Sequence, residues 1–323
     1  MFRQDRTNPS TAVSTWKARK DLPKANPSTA VSAWMNGGLA GGGAVMTAFG
    51  GIISQYEDSG TTYRVHTFRG DGTFTVVDGS ADVDYLIIAG GGSGEVTTKG
   101  SGAGGAGGML TGTGVTVDAA SSPYTITVGM GGYSPAAGGN GNDGENSVAL
   151  GVTATGGGGA RTTGGSGGGG SATSTSGAAG TAGQGSAGGD ATSTGSYAQA
   201  GGGGGGGKNA VGGNGTTNGT GGDGGAGLAG YGITSATATY AGGGGGGGWS
   251  TTTSNSGTSL GVGGAGGGGR GALSTSSSQT KFARGGVPNS GGGMGGDTAY
   301  GLTITNGFIS GGAGIVIIRY AVS

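Results

Sequence analysis

Cysteine is absent from the 323 residues. That excludes disulfides and thiolate metal sites and leaves the redox compartment unspecified. Histidine occurs once, at His66, so a zinc site or a Ser/His/Asp triad has almost nothing to draw on. His66 sits in the alternating run Tyr63-Arg64-Val65-His66-Thr67-Phe68, which is a strand-face pattern. No catalytic residue and no cofactor is therefore expected. Charged residues make up only 9%, with 15 basic against 15 acidic side chains and a pI of about 6.6. A neutral chain offers no basic stripe for nucleic acid and no electrostatic membrane dock. No apolar run is long enough to span a bilayer. The opening MFRQDRTNPS lacks the apolar stretch of a secretory signal, which leads to the expectation of a chain made in the cytoplasm.

Apolar residues are scarce too, at 32%, so a conventional aliphatic core cannot run the length of the chain. What fills the chain instead is glycine, 94 residues of it, against an ordinary usage of about 7%. Non-periodic glycine enrichment by default implies disorder. One ordered alternative exists. Glycine runs in polyproline II geometry have three residues per turn and no internal hydrogen bonds. Without side chains such rods can lie side by side and satisfy each other's N–H and C=O groups. Each inter-rod bond contributes roughly 0.5–1.5 kcal/mol, against a backbone entropy cost of roughly 1–2 kcal/mol per residue. An array of this kind is marginal alone and needs flanking strands or neighbouring subunits as clamps.

The chain divides accordingly. Residues 1–35 hold two of the three tryptophans and a repeat: Asn8-Pro9-Ser10-Thr11-Ala12-Val13-Ser14-Thr15-Trp16 recurs as Asn26-Pro27-Ser28-Thr29-Ala30-Val31-Ser32-Ala33-Trp34. Two copies of one peptide suit docking on two equivalent pockets with Trp as anchor. Asn8, Pro9, Val13, Trp16, Asn26, Pro27, Val31 and Trp34 are the candidate docking residues of an extended N-terminal attachment arm. Residues 36–50 read as a Gly/Ala linker. Residues 51–128 read as β-rich, with strands at 52–56, 61–68, 73–77 and 83–89 and a further strand pair at 115–117 and 124–128. The separators Glu57-Asp58-Ser59-Gly60 and Arg69-Gly70-Asp71-Gly72 read as hairpin turns. Residues 129–313 form the glycine-rod region, and 314–323 a closing strand. The runs Val83–Ile88 and Ile315–Val322 are apolar on two faces, like central strands, and are predicted to lie together. The expected fold class is all-β, a strand framework clamping a rod array.

The segments Gly50–Ile53, Tyr63–Phe68, Gly72–Val76, Val83–Gly92, Tyr124–Gly129 and Gly311–Tyr320 together resemble a glycine-rich domain of tailed-phage tail and fibre proteins and some bacterial surface proteins. More loosely, the chain is similar to the polyglycine-rod tip adhesins of phage long tail fibres. The resemblance implies a virion structural protein, a tail fibre or tail-associated adhesin assembled in the host cytoplasm. Its partners would be other tail or capsid proteins, a host surface glycan or protein, and further copies of itself. It implies no enzymatic activity. The alternatives are a bacterial extracellular structural protein, a capsid-attached fibre or decoration protein without receptor-binding role, and an ice-binding protein.

Aromatic residues near run ends allow two readings, capping of the rods or contact with a receptor. Tyr133, Tyr197, Tyr240, Trp249 and Tyr300 are the candidate receptor-contact residues, and Trp249 is expected to be exposed. Gly138 to Gly144 resembles half of a calcium-binding nonapeptide repeat, with Asp143 and Glu145 as weak calcium candidates. Gly202 to Gly207 followed by Lys208-Asn209 nearly spells a phosphate loop, but Asn209 replaces the hydroxyl that holds magnesium.

Overall fold

The computed structural model describes residues 46–135, 139–174, 176–193, 199–230, 237–251, 259–275, 279–298 and 309–322. The N-terminal repeats lie outside them. Among the described residues there is no helix, and several open sheets account for all regular structure.

Period-two alternation sets the first strands: β1 (Thr47–Phe49), β2 (Ile52–Asp58), β3 (Thr61–Phe68), β4 (Gly72–Asp78) and β5 (Ser80–Ile88). Three more follow: β6 (Val96–Thr97), β7 (Met109–Asp118) and β8 (Tyr124–Ile126). The segment Ile315–Ala321 forms the closing strand. It lies at the centre of a five-stranded sheet, antiparallel to β3 on one side and to β5 on the other, with β2 and β7 at the edges. The register pairs Ile315 with Ile88 and Val316 with Ile87, so the two runs expected to lie together do. Both of its faces are covered, which is why it reads as an unbroken apolar run. Ile87, Val316, Ile318 and Tyr320 pack with Phe74, Val76 and Ile126 of a second sheet, β1-β4-β8. Leu86, Ile88, Ile315 and Ile317 pack on the other side with Met109, Tyr240 and Ala241.

Three expectations are corrected. The Ser59-Gly60 turn is a true hairpin turn, with φ of 53° and 84°, joining β2 to β3. The Arg69–Gly72 segment is not: β3 pairs with β2 and the closing strand, whereas β4 pairs with β1 and β8. The chain crosses there between sheets, because Phe68 and Phe74 both bury into the space between them. Likewise the strands at 115–117 and 124–128 do not pair with each other; β7 joins β5 and β8 joins β4. Finally, β1 begins inside the stretch read as linker, because Met46 and Ala48 supply apolar surface to the core.

His66 is fully buried in this core. Its Nδ1 lies 2.8 Å from the Gly50 carbonyl, its ring meets Phe74 edge-on at 4.9 Å, and it stacks on Tyr320. Burial pushes its pKa below the usual 6.5, opposed by the Gly50 hydrogen bond and reinforced by the Arg64 charge. An unfolded chain then takes up a proton near pH 6.5 that the folded chain refuses. Stability is complete above about pH 6.5 and falls as pH drops from there toward the lower folded pKa. A His66→Gln variant is expected to lose this slope. Denaturation midpoints of both proteins between pH 5 and 7.5 check it, and parallel curves would refute the assignment.

The glycine runs take over where the sheet ends. Ala89 to Glu95 extends directly out of β5, and Gly311 to Gly314 feeds the closing strand. In the run 201–207 the hydrogen-bond partner changes at every residue and recurs every third. Gly202 and Gly205 donate to Gly247 and Gly244, Gly203 and Gly206 to Gly170 and Gly167, and Gly204 and Gly207 to Gly213 and Ala210. The carbonyls of the same run accept from three other segments, at 222–225, 103–106 and 186–189. Six neighbours thus surround one run. The run 242–248 repeats the arrangement, donating in turn to 266–272, 222–225 and 101–104. Every residue of both runs is buried. Contact is too close for a side chain: a Cβ at Gly205 would lie 2.0 Å from the Gly104 carbonyl oxygen.

Candidate functional site at the far end of the glycine runs

Direction along the runs separates two ends. Near the sheets lie Ile88, Gly108, Lys208, Ala241 and Gly314, tied by bonds such as Lys208 N–H to the Ala241 carbonyl and Ala241 N–H to that of Ser290. At the opposite end the runs open into short strands. Gln199–Gly201 pairs with Gly248–Ser250, which pairs with Leu273–Thr275, with Thr192–Ser193 and Gln279–Lys281 at the edges. Around this small sheet gather the turns at 97–101, 171–174 and 216–220, joined through Gly100, Ser101 and Gly219 backbone bonds. β6 pairs there with Asp297–Thr298. Glycine cannot supply a core at this end, so hydroxyls satisfy each other. Ser101 Oγ donates to the Asp297 carbonyl at 2.9 Å, Thr97 Oγ1 lies 2.7 Å from Ser101 Oγ, and Ser274 Oγ donates to the Thr298 carbonyl at 2.5 Å.

Trp249 is the centre of this end, and here an expectation is overturned. It is only 2% exposed, packed against Ala172 and Ala200, with the Lys99 ammonium 4.7 Å from its ring centroid. Among alanine, serine and glycine it is the one large apolar surface in its cluster, and burying it favours folding by about 1.5–3 kcal/mol. It therefore acts as the plug of the far end rather than as an exposed contact. Tyr240 is likewise corrected: it is 7% exposed and belongs to the core beside Leu86 and Ile317. Tyr133 is 56% exposed, bridges Ser310, and receives Asn142 Nδ2–H on its carbonyl at 2.8 Å. Tyr197 and Tyr300 lie outside the described residues.

Asp143 and Glu145 are placed at the rim of the array, where an outer run lacks a further neighbour. Asp143 Oδ1 accepts the Gly159 N–H at 2.8 Å, Asn146 Oδ1 the Gly156 N–H at 2.8 Å, and Glu145 Oε2 the Met130 N–H at 3.1 Å. The spacing of three between Asp143 and Asn146 matches the recurrence of the backbone bonds. Their side chains stand in for the carbonyls of a missing run. No group of three or more potential metal ligands occurs among the described residues. The near-match to a phosphate loop is absorbed by the array, since 202–207 are buried and fully bonded to other runs.

One charged element was not foreseen. Glu95 lies fully buried within the runs, its Oε1 accepting the Gly102 N–H at 3.0 Å and its Oε2 3.2 Å from Arg161 Nη2. Arg161 also donates to Asn140 Oδ1. Burial pushes the Glu95 carboxyl above its usual range, against the pull of Gly102, Arg161 and Ser171. The available signal was a single carboxylate directly after the glycine-rich stretch Gly90–Gly94.

A family model described as a glycine-rich domain matches residues 66–321. No curated protein matches the chain.

Proposed function

The chain belongs to the glycine-rich domain family, and from that premise we propose a non-enzymatic structural role: a virion tail fibre or tail-associated adhesin contributing to host attachment. The observation that carries the reading is the arrangement of two ends. A strand core, entered by the chain at Met46, holds one end of the runs, and a hydroxyl-rich sheet plugged by Trp249 closes the other. Such a body spaces a binding end from an anchoring end, and connecting segments on a rigid scaffold are where binding concentrates. The N-terminal repeats serve in this reading as the arm that docks on another virion protein, with the assembled protein a homo-oligomer.

The runs themselves are polyglycine II rods in this proposal. The recurrence of partners every third residue and the six neighbours per run support it, because a threefold helix directs successive N–H groups 120° apart. An experimental structure with ordinary strand dihedrals through 201–207 and 242–248 would sink it.

The attachment reading is tested on particles. Antibody raised against residues 46–323 is expected to label one defined part of a virion and to reduce adsorption to host cells. Particles that lack the protein yet adsorb normally would favour a decoration protein. Its recovery from bacterial surfaces without any particle would favour an extracellular structural protein.

A further inference from the structure

A groove of about 860 Å³ opens on the flank of the runs, away from Trp249 and its sheet. It is lined by the glycine segments 268–269 and 285–286 and by the apolar side chains of Val262, Val287 and Pro288. Val262 and Val287 are 61% and 54% exposed. Arg270 and Arg284 line it, and no acidic residue does among the described residues. A carboxylate does reach the rim, where Asp223 Oδ1 accepts the Val262 N–H at 2.8 Å. Arg284 is exposed, whereas the Nε of Arg270 is buried and has no hydrogen-bond partner.

A buried donor without a partner is rare in a folded chain and costs free energy. Arg270 interrupts a segment that is otherwise glycine and alanine, where an uncharged residue would fit at no such cost. Two arginines lining one recess supply planar forks of the kind that match carboxylates in bidentate geometry. The glycine backbone of the groove is bonded to neighbouring segments, as Gly269 N–H is to the Gly293 carbonyl and Gly286 N–H to that of Ser310. The exposed surface open to sugar ring faces is therefore aliphatic, from Val262 and Val287, with half-exposed Phe282 immediately preceding the lining residue Ala283. We infer that this groove binds an acidic saccharide, its uronate carboxylates held by Arg270 and Arg284 and its ring faces laid on the aliphatic walls. The site is separate from the Trp249 end and stands whichever assembly carries the protein.

The test uses the full chain with short oligogalacturonate as probe, followed by calorimetry or fluorescence anisotropy. Binding is expected to weaken with added salt and to be absent for neutral dextran oligomers. Arg284→Gln, an exposed substitution, is expected to weaken it at least about tenfold with an unchanged denaturation midpoint, and Arg270→Gln by a similar factor. Absence of oligogalacturonate binding to the unaltered protein would overturn the proposal, as would equal binding by the Arg284→Gln variant. Tighter binding of oligoglutamate than of oligogalacturonate would assign the groove to acidic peptides instead and overturn it as stated.

Discussion

Replacing Gly205 by alanine is expected to lower stability by about 4–5 kcal/mol, enough to leave much of the protein unfolded. The new methyl group would sit 2.0 Å from the Gly104 carbonyl oxygen and 2.6 Å from its carbon. Neither is the flexible end of a side chain; both are backbone of a run that is itself held on every side. Overpacking of this kind costs up to about 3 kcal/mol where neighbours can give way. Here relief requires separating runs, which breaks bonds such as Gly205 N–H to Gly244 O and Gly225 N–H to Gly205 O. Each contributes about 0.5–1.5 kcal/mol. The total approaches the whole stability of an ordinary domain, about 5–15 kcal/mol. Gly70→Ala is the control. No atom lies within 4 Å of its Cβ position, so the variant should be unchanged or stabilised by up to about 1 kcal/mol through the unfolded chain. Urea denaturation of both variants decides. A Gly205→Ala midpoint indistinguishable from the parent would mean that the runs are not in contact at this point.

The same closeness explains which features the sequence made legible. Strand periodicity identified β2, β3, β4, β5 and the closing strand, and the two-faced apolarity of Val83–Ile88 and Ile315–Val322 marked them as central partners. Sheet membership was not legible, because hairpin-like spacing at Arg69–Gly72 says nothing of which side of a core the next strand takes. Glycine content announced close-packed backbone, but its long-range pairing, such as Gly104 with Met294 and Gly203 with Gly170, leaves no mark in residue type. Trp249 was misjudged because its sequence neighbours are small and polar. Exposure there depends on Ala172 and Ala200, which lie about 80 and 50 residues away in the sequence. Rim positions were partly legible: Asp143 and Glu145 stand out as oxygen donors at a short interval, as in a calcium motif, but the spacing of three between Asp143 and Asn146 has meaning only once their Gly159 and Gly156 partners are seen. The charged residues inside runs carried the strongest unused signal. In a medium built from glycine, a Glu or Arg has to be there for a reason of charge.

Glu95 is the case where that reason can be measured. Removing its partner by Arg161→Met is expected to cost about 2–3 kcal/mol at pH 7. Breaking a buried pair from one side typically costs about 3–5 kcal/mol, but protonation sets a ceiling. An unfolded glutamate has a pKa of about 4.3, so keeping it neutral at pH 7 costs about 1.36 kcal/mol for each of roughly 2.7 pH units, or about 3.7 kcal/mol, and the parent, whose folded pKa is already raised, carries part of that cost. The sign follows from the direction of the shift. A carboxyl whose folded pKa is raised holds its proton in the folded state across the window above 4.3, where the unfolded chain has released it. Its stability contribution is therefore greatest below about pH 4.3 and declines as pH rises through the folded pKa. Loss of Arg161 raises that pKa further, so the gap between variant and parent should widen from about 1 kcal/mol or less at pH 4.3 to its full size at pH 7. Glu95→Gln placed in the Arg161→Met background should remove most of the pH dependence, since the amide keeps an oxygen for the Gly102 N–H without a charge to strand. Denaturation midpoints of the parent, the single variant and the double variant at both pH values separate the outcomes. A penalty for Arg161→Met that is the same at pH 4.3 and 7 would show that Arg161 acts by packing and by its bond to Asn140, and that the carboxylate it faces is not ionised in the folded protein.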